Sequence, residues 1–148
     1  MEERRKGNLV GIVLGVLLVV GFGLSRVLGG VMGEPAATCD DPVIWQDAAQ
    51  EVGQASAIVG QVADASFEPD IGGAPTFLNL GNAHPDPERF DVVIYEDVRE
   101  RFESAPEEAF IGEYVCVLGE VRERDGVPQI ILQGPGWIWI EEGVPPGL

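Results

Sequence analysis

The uncharged apolar segment at residues 9–24 constrains this chain more than any other feature. It reads LVGIVLGVLLVVGFGL, and residues 25–28 extend it to the roughly twenty residues that a helix needs to cross a hydrocarbon core. Arg4, Arg5 and Lys6 precede it, and Arg26 lies near its other end. Because basic flanking residues stay in the cytoplasm, the sequence predicts one transmembrane helix over residues 9–28, with the C-terminal part outside.

A cleaved signal peptide is the alternative interpretation, and a buried helix of a soluble protein is a third. Cleavage would require small residues just downstream, where Glu34 and Pro35 are unfavourable, and Thr38 before Cys39 does not fit a lipoprotein signal. A retained signal anchor is therefore the favoured interpretation. It predicts a basic cytoplasmic N-terminus at residues 1–8, the helix at 9–28, a linker at 29–40, a folded domain at 41–142 and a flexible tail at 143–148.

The charge of the outer part is strongly negative. Residues 34–148 contain five arginines and 23 carboxylates, a formal net charge of −18, and Lys6 is the only lysine in the chain. Such a domain has no basic stripe that could neutralise a phosphate backbone, and its field repels polyanions. At this length it can form one small core, so a multi-domain enzyme is excluded.

Two cysteines, Cys39 and Cys116, both follow the predicted span. In an oxidising compartment they could form a disulfide that ties the linker to the domain. The alternative for Cys116, which lies between Val115 and Val117, is a buried thiol.

The predicted fold class is mainly β. Apolar, β-branched and aromatic runs separated by turn residues predict five strands at residues 55–67, 76–80, 91–95, 114–122 and 129–140. A short helix is expected at residues 45–52, and another around 97–102, between the third and fourth strands. Asp125 and Gly126 favour a tight hairpin turn between the last two strands. This order is typical of the OB-fold, a five-stranded Greek-key barrel.

Several motifs resemble those of bacterial OB-fold domains with a G-x-P-T-F-L-N-x-G motif. They are GAPTFLNLG at residues 73–81, PDP at 85–87, FDVVI at 90–94, Gly112, VCVLG at 115–119 and GVPQI at 126–130. That family resembles nucleic-acid-binding OB domains and occurs beside staphylococcal-nuclease-type domains, so the resemblance implies a binding module rather than an enzyme. Ala74 and Glu113 stand where the family often has lysine, which removes two possible phosphate contacts.

Residues that could carry catalysis are scarce. His84 is the only histidine, which excludes a two-histidine metal site, and the carboxylates Asp86, Glu88 and Asp91 lack the spacing of a calcium loop. A small hydrolase would need a carboxylate pair within residues 86–91 or 107–108, and nothing in the sequence selects one. We therefore predict no catalytic residues, no metal and no cofactor.

The candidate binding residues are aromatic. In the predicted last strand, the period of two places Trp137 and Trp139 on one face and Ile138 and Ile140 on the other. If the isoleucines fill the barrel, two indoles face outward and could bind a base, a sugar ring or a protein. The alternatives are that the N-terminal segment around Trp45 covers them or that they lie at the membrane interface.

Tyr95 and Asn79 complete the predicted contact set. The sequence thus predicts a membrane-anchored, extracytoplasmic OB-fold binding or scaffold module that contacts another envelope or membrane protein. Binding of single-stranded DNA is the alternative, although the negative charge disfavours it.

Overall fold

The computed structural model describes residues 38–142. The predicted cytoplasmic segment, the predicted span at residues 9–28, most of the predicted linker and the predicted tail lie outside this range. None of the helices within residues 38–142 is long and apolar enough to cross a membrane.

Seven strands and a few short helices make up the described part of the chain. The strands are β1 (Val43–Ile44), β2 (Ala55–Phe67), β3 (Thr76–Leu80), β4 (Phe90–Ile94), β5 (Tyr114–Arg124), β6 (Val127–Ile131) and β7 (Ile138–Ile140). The helices are the 3-10 helices Trp45–Glu51 and Pro135–Trp137 and the one-turn α-helices α1 (Glu96–Arg99) and α2 (Pro106–Ala109). Two short helices, rather than one, separate β4 from β5.

The strands form one mixed sheet in the order β1-β2-β3-β4-β6-β5-β7. Strand β2 is long enough to pair antiparallel with two partners, with β5 through its first half and with β3 through its second half. Because β4 also pairs in parallel with β6, and β6 with β5, the pairings continue from β2 through β3, β4, β6 and β5 back to β2. This mainly β arrangement is consistent with an OB-like barrel.

The main core lies between these strands. Alternate residues of each strand point inward, and the largest fully buried side chains include Phe90, Ile58, Leu78, Leu80 and Ile130. Residues 125 and 126 form the predicted turn between β5 and β6, with φ of +53° at Asp125 and +81° at Gly126. Positive φ at both positions matches the right-handed twist of a hairpin, which confirms this prediction.

The predicted continuous strand at residues 129–140 is wrong. Strand β6 ends at Ile131, and the 3-10 helix Pro135–Trp137 separates it from β7. Pro135 has no backbone N–H to donate to a neighbouring strand, so the ladder cannot run through this position. The chain then leaves β6 and returns beside β5, where Ile138 pairs with Val117.

Candidate binding groove

An open groove of about 660 Å³ crosses the outer face of the sheet. The second half of β2, the β2–β3 loop, β3, the β3–β4 loop, β4 and the β5–β6 hairpin all contribute to its walls. Its lining residues are Asp64, Ser66, Glu68, Ile71, Gly72, Pro75, Phe77, Asn79, His84, Pro85, Pro87, Arg89, Asp91, Tyr95, Arg124, Asp125, Val127 and Gln129. In OB-folds generally, the same strand face and loops bind ligands.

Four polar side chains form a row along the floor of the groove. Asp64 pairs with Asn79, Asn79 with Asp91, and Asp91 with Gln129, each on a neighbouring strand. Residues directly opposite each other in a sheet point to the same side, so strand register alone brings the four side chains together. We call Asp64, Asn79, Asp91 and Gln129 the polar row.

An irregularity in β2 places Asp64 in this row. The register of β2 against β3 shifts between Val62, opposite Leu80, and Asp64, opposite Asn79. In a regular strand Val62 and Asp64 would point to the same side, but here Val62 is in the core and Asp64 lines the groove. The extra residue, Ala63, therefore turns the carboxylate from the core toward the groove.

The centre of the polar row is held by a hydrogen-bonded ion pair. Arg89 donates to both oxygens of Asp91, from Nε at 2.8 Å and from Nη2 at 3.0 Å, and Asn79 Nδ2 donates to Asp91 Oδ1 at 2.7 Å. Arg89 Nη1 also donates to the carbonyl of Asp86 in the β3–β4 loop at 2.7 Å. A bidentate guanidinium fixes the carboxylate and balances its charge, so Asp91 tolerates near-complete burial.

Gln129 differs from its neighbours in the row. The residue as a whole is only 9% exposed, yet within residues 38–142 its amide forms no side-chain hydrogen bond and is open to the groove rather than buried. An amide offers two N–H donors and one carbonyl acceptor. Gln129 is thus an open polar contact point at the floor of the groove.

Aromatic and aliphatic groups form the walls. Tyr95 directly follows β4, and the β2–β3 loop lies against its ring: a Cβ atom added to Gly73 would be 2.8 Å from Tyr95 Cδ1. The carbonyl of Gly73 accepts a hydrogen bond from the N–H of Glu96 at 3.1 Å, which fixes the loop at this point. Phe77 and the half-exposed Ile71 add apolar surface nearby.

The charge of the groove is negative. Four carboxylates, those of Asp64, Glu68, Asp91 and Asp125, line it together with two guanidinium groups. Arg89 is engaged with Asp91, and Arg124 lies 3.9 Å from Asp125 in an exposed pair. The groove therefore lacks the excess of cations that a phosphate backbone requires.

The predicted contact residues fall in different places. Asn79 and Tyr95 line the groove, whereas Trp137 and Trp139 do not. Trp137 belongs to a 3-10 helix and packs against the main core, so the strand alternation that would place both indoles on one face does not apply. Ile138 is buried as expected, but Ile140 is exposed. A binding role for either tryptophan stays a prediction.

Arg89, Asp91, Gln129 and Phe77 were not predicted as groove residues. A signal for two of them was present, because Asp91 and Gln129 are single polar residues inside the apolar runs FDVVI and VPQII. A polar residue flanked by buried ones in a strand marks the face opposite the core.

The predicted disulfide between Cys39 and Cys116 is present, with a Cα–Cα distance of 6.3 Å. It belongs to a second apolar cluster, which also contains Ala57, Val59 and Trp139. Trp139 Nε1 donates to Glu141 Oε1 at 2.6 Å, and burial raises the pKa of Tyr114 in the same cluster. A Glu141 oxygen lies within 4.8 Å of both sulfur atoms, but sulfurs bonded to each other are not thiolate metal ligands.

No protein-family model matches this sequence, and no curated protein matches it. Among solved structures, the chain is similar to asparaginyl-tRNA synthetase from Pyrococcus horikoshii, with a TM-score of 0.44, 16% identity and coverage of 70% of this chain and 24% of that one. It is also similar to a putative aspartyl-tRNA synthetase from Leishmania major Friedlin, with a TM-score of 0.43, 10% identity and coverage of 74% and 22%. The chain thus spans about a quarter of the length of these proteins.

Proposed function

We propose that this chain is a single-pass, membrane-anchored binding module, in which residues 9–28 span the membrane and an OB-fold domain outside the cytoplasm contacts another envelope or membrane protein. The three basic residues before the span support this orientation. The Cys39–Cys116 disulfide supports it independently, because structural disulfides persist mainly in oxidising compartments.

The observation that carries the proposal is the groove itself. It combines an open polar contact at Gln129, apolar walls at Tyr95 and Phe77, and more carboxylates than guanidinium groups. Polar atoms beside aromatic surface are what protein-binding sites use for affinity and orientation. The negative charge favours a protein partner over a nucleic acid.

We propose a role in binding rather than catalysis, without a cofactor. Asp91, the most buried carboxylate of the groove, accepts hydrogen bonds on both oxygens from Arg89 and Asn79, and these contacts hold it in a structural ion pair. The only histidine, His84, lines the groove from an exposed loop, and we assign it no catalytic role.

Photo-crosslinking from the groove tests this proposal. Replacing Tyr95 by p-benzoylphenylalanine in the full chain, in native membranes, should yield a covalent adduct with one discrete membrane or envelope protein. The same replacement at Gln46, which is exposed and outside the groove, is the matched control. Absence of an adduct at position 95, or the same adducts at both positions, would contradict the proposal.

The topology has its own test, because Lys6 is the only lysine. A membrane-impermeant amine reagent should label the Glu123→Lys variant in intact cells, because residue 123 is exposed in the domain that we place outside. The unmodified chain should be labelled only after lysis, because Lys6 would lie in the cytoplasm. Equal labelling of both chains in intact cells would refute this orientation.

Single-stranded DNA is the rival ligand. A filter-binding titration of the full chain at low salt should show no micromolar affinity. Tight binding that weakens steeply as salt is added would instead indicate counterion release from phosphates and would overturn the protein-partner proposal.

A further inference from the structure

We infer that the groove receives an extended segment of the partner that carries arginine or lysine side chains. This inference rests on the proposed function and specifies the chemistry of the partner. Three features of the groove support it. They are the carboxylates that have no cationic partner within residues 38–142, the open amide of Gln129 and the apolar wall beside them.

The unbalanced charge lies on one side of the groove. Asp91 and Asp125 each have an arginine nearby, whereas within the described range Asp64 and Glu68 have no ion pair. Asp64 Oδ1 accepts a hydrogen bond from the N–H of Ala65 at 3.0 Å, which orients the carboxylate without neutralising it. Asp64 lies at the β2 end of the polar row and Glu68 in the loop that follows β2, so two negative charges stand on the same side of the groove and complement a cation.

The open contact at Gln129 fits a peptide backbone. The residue is nine-tenths buried, but its amide is open to the groove, is unpaired within residues 38–142, and provides both a donor and an acceptor. An extended peptide presents an N–H and a C=O on the same residue, and a single glutamine amide can satisfy both. Because most of the residue is buried in the sheet, the amide has few positions to occupy, so a ligand that pairs with it orders less side-chain freedom than at a fully exposed site.

The apolar wall suits the stems of basic side chains. Tyr95 and Phe77 line the groove together with Ile71, which is 51% exposed. Arginine and lysine bury their methylene groups along such surfaces while the charged end stays near water, and a guanidinium also stacks on aromatic rings. The wall and the two carboxylates therefore act on different parts of the same side chain.

Binding of labelled peptides to the full chain in mild detergent tests this inference. At low salt, a short peptide of alternating arginine and serine should bind, whereas the glutamate–serine peptide, oligothymidine and a neutral maltooligosaccharide should not. The Asp64→Asn, Glu68→Gln double variant should weaken binding of the basic peptide by about tenfold. It should also lessen the salt dependence.

The Asp47→Asn, Glu108→Gln double variant is the matched control. It removes the same charge from exposed residues outside the groove and should change the affinity by less than about twofold. Gln129→Ala should weaken binding of the basic peptide without changing its salt dependence. Urea unfolding of each variant verifies that the variant is folded. Equal losses in both double variants, or preferential binding of oligothymidine or the oligosaccharide, would overturn the inference.

Failure of this inference can be distinguished from failure of the proposed function. If position 95 crosslinks to a partner but the groove shows no preference for the basic peptide, the binding role stands and the chemistry assigned to the partner is wrong. If neither is observed, both proposals fail.

Discussion

Arg99 shows at the scale of single residues how the short helical segment is attached to the sheet. Its Nη2 donates to Glu107 Oε1 at 2.6 Å, its Nε donates to Thr76 Oγ1 at 3.1 Å, and its guanidinium lies 4.0 Å from the centre of the Phe67 ring. One side chain thereby joins α1, α2, β2 and β3. Glu107 Oε2 is buried and has no partner in the part of the chain that the structure describes, so the negative charge of this carboxylate is balanced mainly by Arg99.

We expect Arg99→Met to lower the free energy of unfolding by about 2 to 3 kcal/mol, because it leaves a mostly buried carboxylate without its counter-charge. Urea unfolding of the full chain in mild detergent measures this. Arg101→Met is the control. Arg101 is exposed, and within the described range its one side-chain hydrogen bond is a long one, 3.3 Å to the carbonyl of Gln133, so its loss should stay within about 0.5 kcal/mol. Similar losses in the two variants would show that the contacts of Arg99 contribute little.

At the scale of elements, the 3-10 helix Trp45–Glu51 is attached to the sheet through its first residue. Trp45 lies over Gly60 of β2, where an added Cβ would be 2.8 Å from Cδ1 of the indole, and over Gly81, where the overlap would be closer still. Glycine is therefore needed at these positions because only hydrogen leaves room for the indole. Gly81 also has φ of +80°, which disfavours any other residue.

Gly81→Ala introduces both backbone strain and overlap with the indole of Trp45, whereas Gly126→Ala introduces backbone strain alone. Gly126 has nearly the same φ, +81°, but nothing in residues 38–142 lies within 4 Å of an added Cβ. We expect Gly126→Ala to lower the free energy of unfolding by about 1 kcal/mol from backbone strain alone. Gly81→Ala should cost at least about 2 kcal/mol more, because the indole must move. Equal values in thermal or urea unfolding would mean that Trp45 is not held against Gly81.

The disulfide acts at the scale of the whole molecule. It joins Cys39, at the start of the described range, to Cys116 in the middle of β5, across 77 residues of sequence. The loop that it closes contains β1 to β4 and both α-helices. A link of this length limits the conformations of the unfolded chain more than any local contact does.

Cys39→Ala should lower the free energy of unfolding by about 4 kcal/mol, as loop-closure entropy implies for a loop of this size. The substitution leaves Cys116, which is fully buried, in place, so it tests the covalent link with little change in packing. Under reducing conditions, the unmodified chain should unfold at the same urea concentration as the Cys39→Ala variant does without reductant. A variant as stable as the oxidised chain would show that the link does not stabilise the fold.

Local patterns in the sequence were enough to predict much of the fold. Strands β2 and β3 have the predicted bounds, and the turn at Asp125 and Gly126 follows from residues that tolerate positive φ. These features depend on neighbours within a few positions of each other. The predicted strand at residues 129–140 runs through Gln133, Gly134, Pro135 and Gly136, and the lack of an N–H at Pro135 outweighs the strand preference of the apolar residues on either side.

The groove required information that no local pattern contains. Asn79 and Tyr95 were predicted as contact residues, but the polar row depends on the register of four strands, and Asp64 joins it only because the irregularity at Ala63 changes the face that it occupies. A shift of one residue in any pairing would send one of these side chains into the core. Apolar periodicity and turn chemistry act along the chain, whereas register and the disulfide act between segments that are distant in sequence, so the groove exists only in the folded domain.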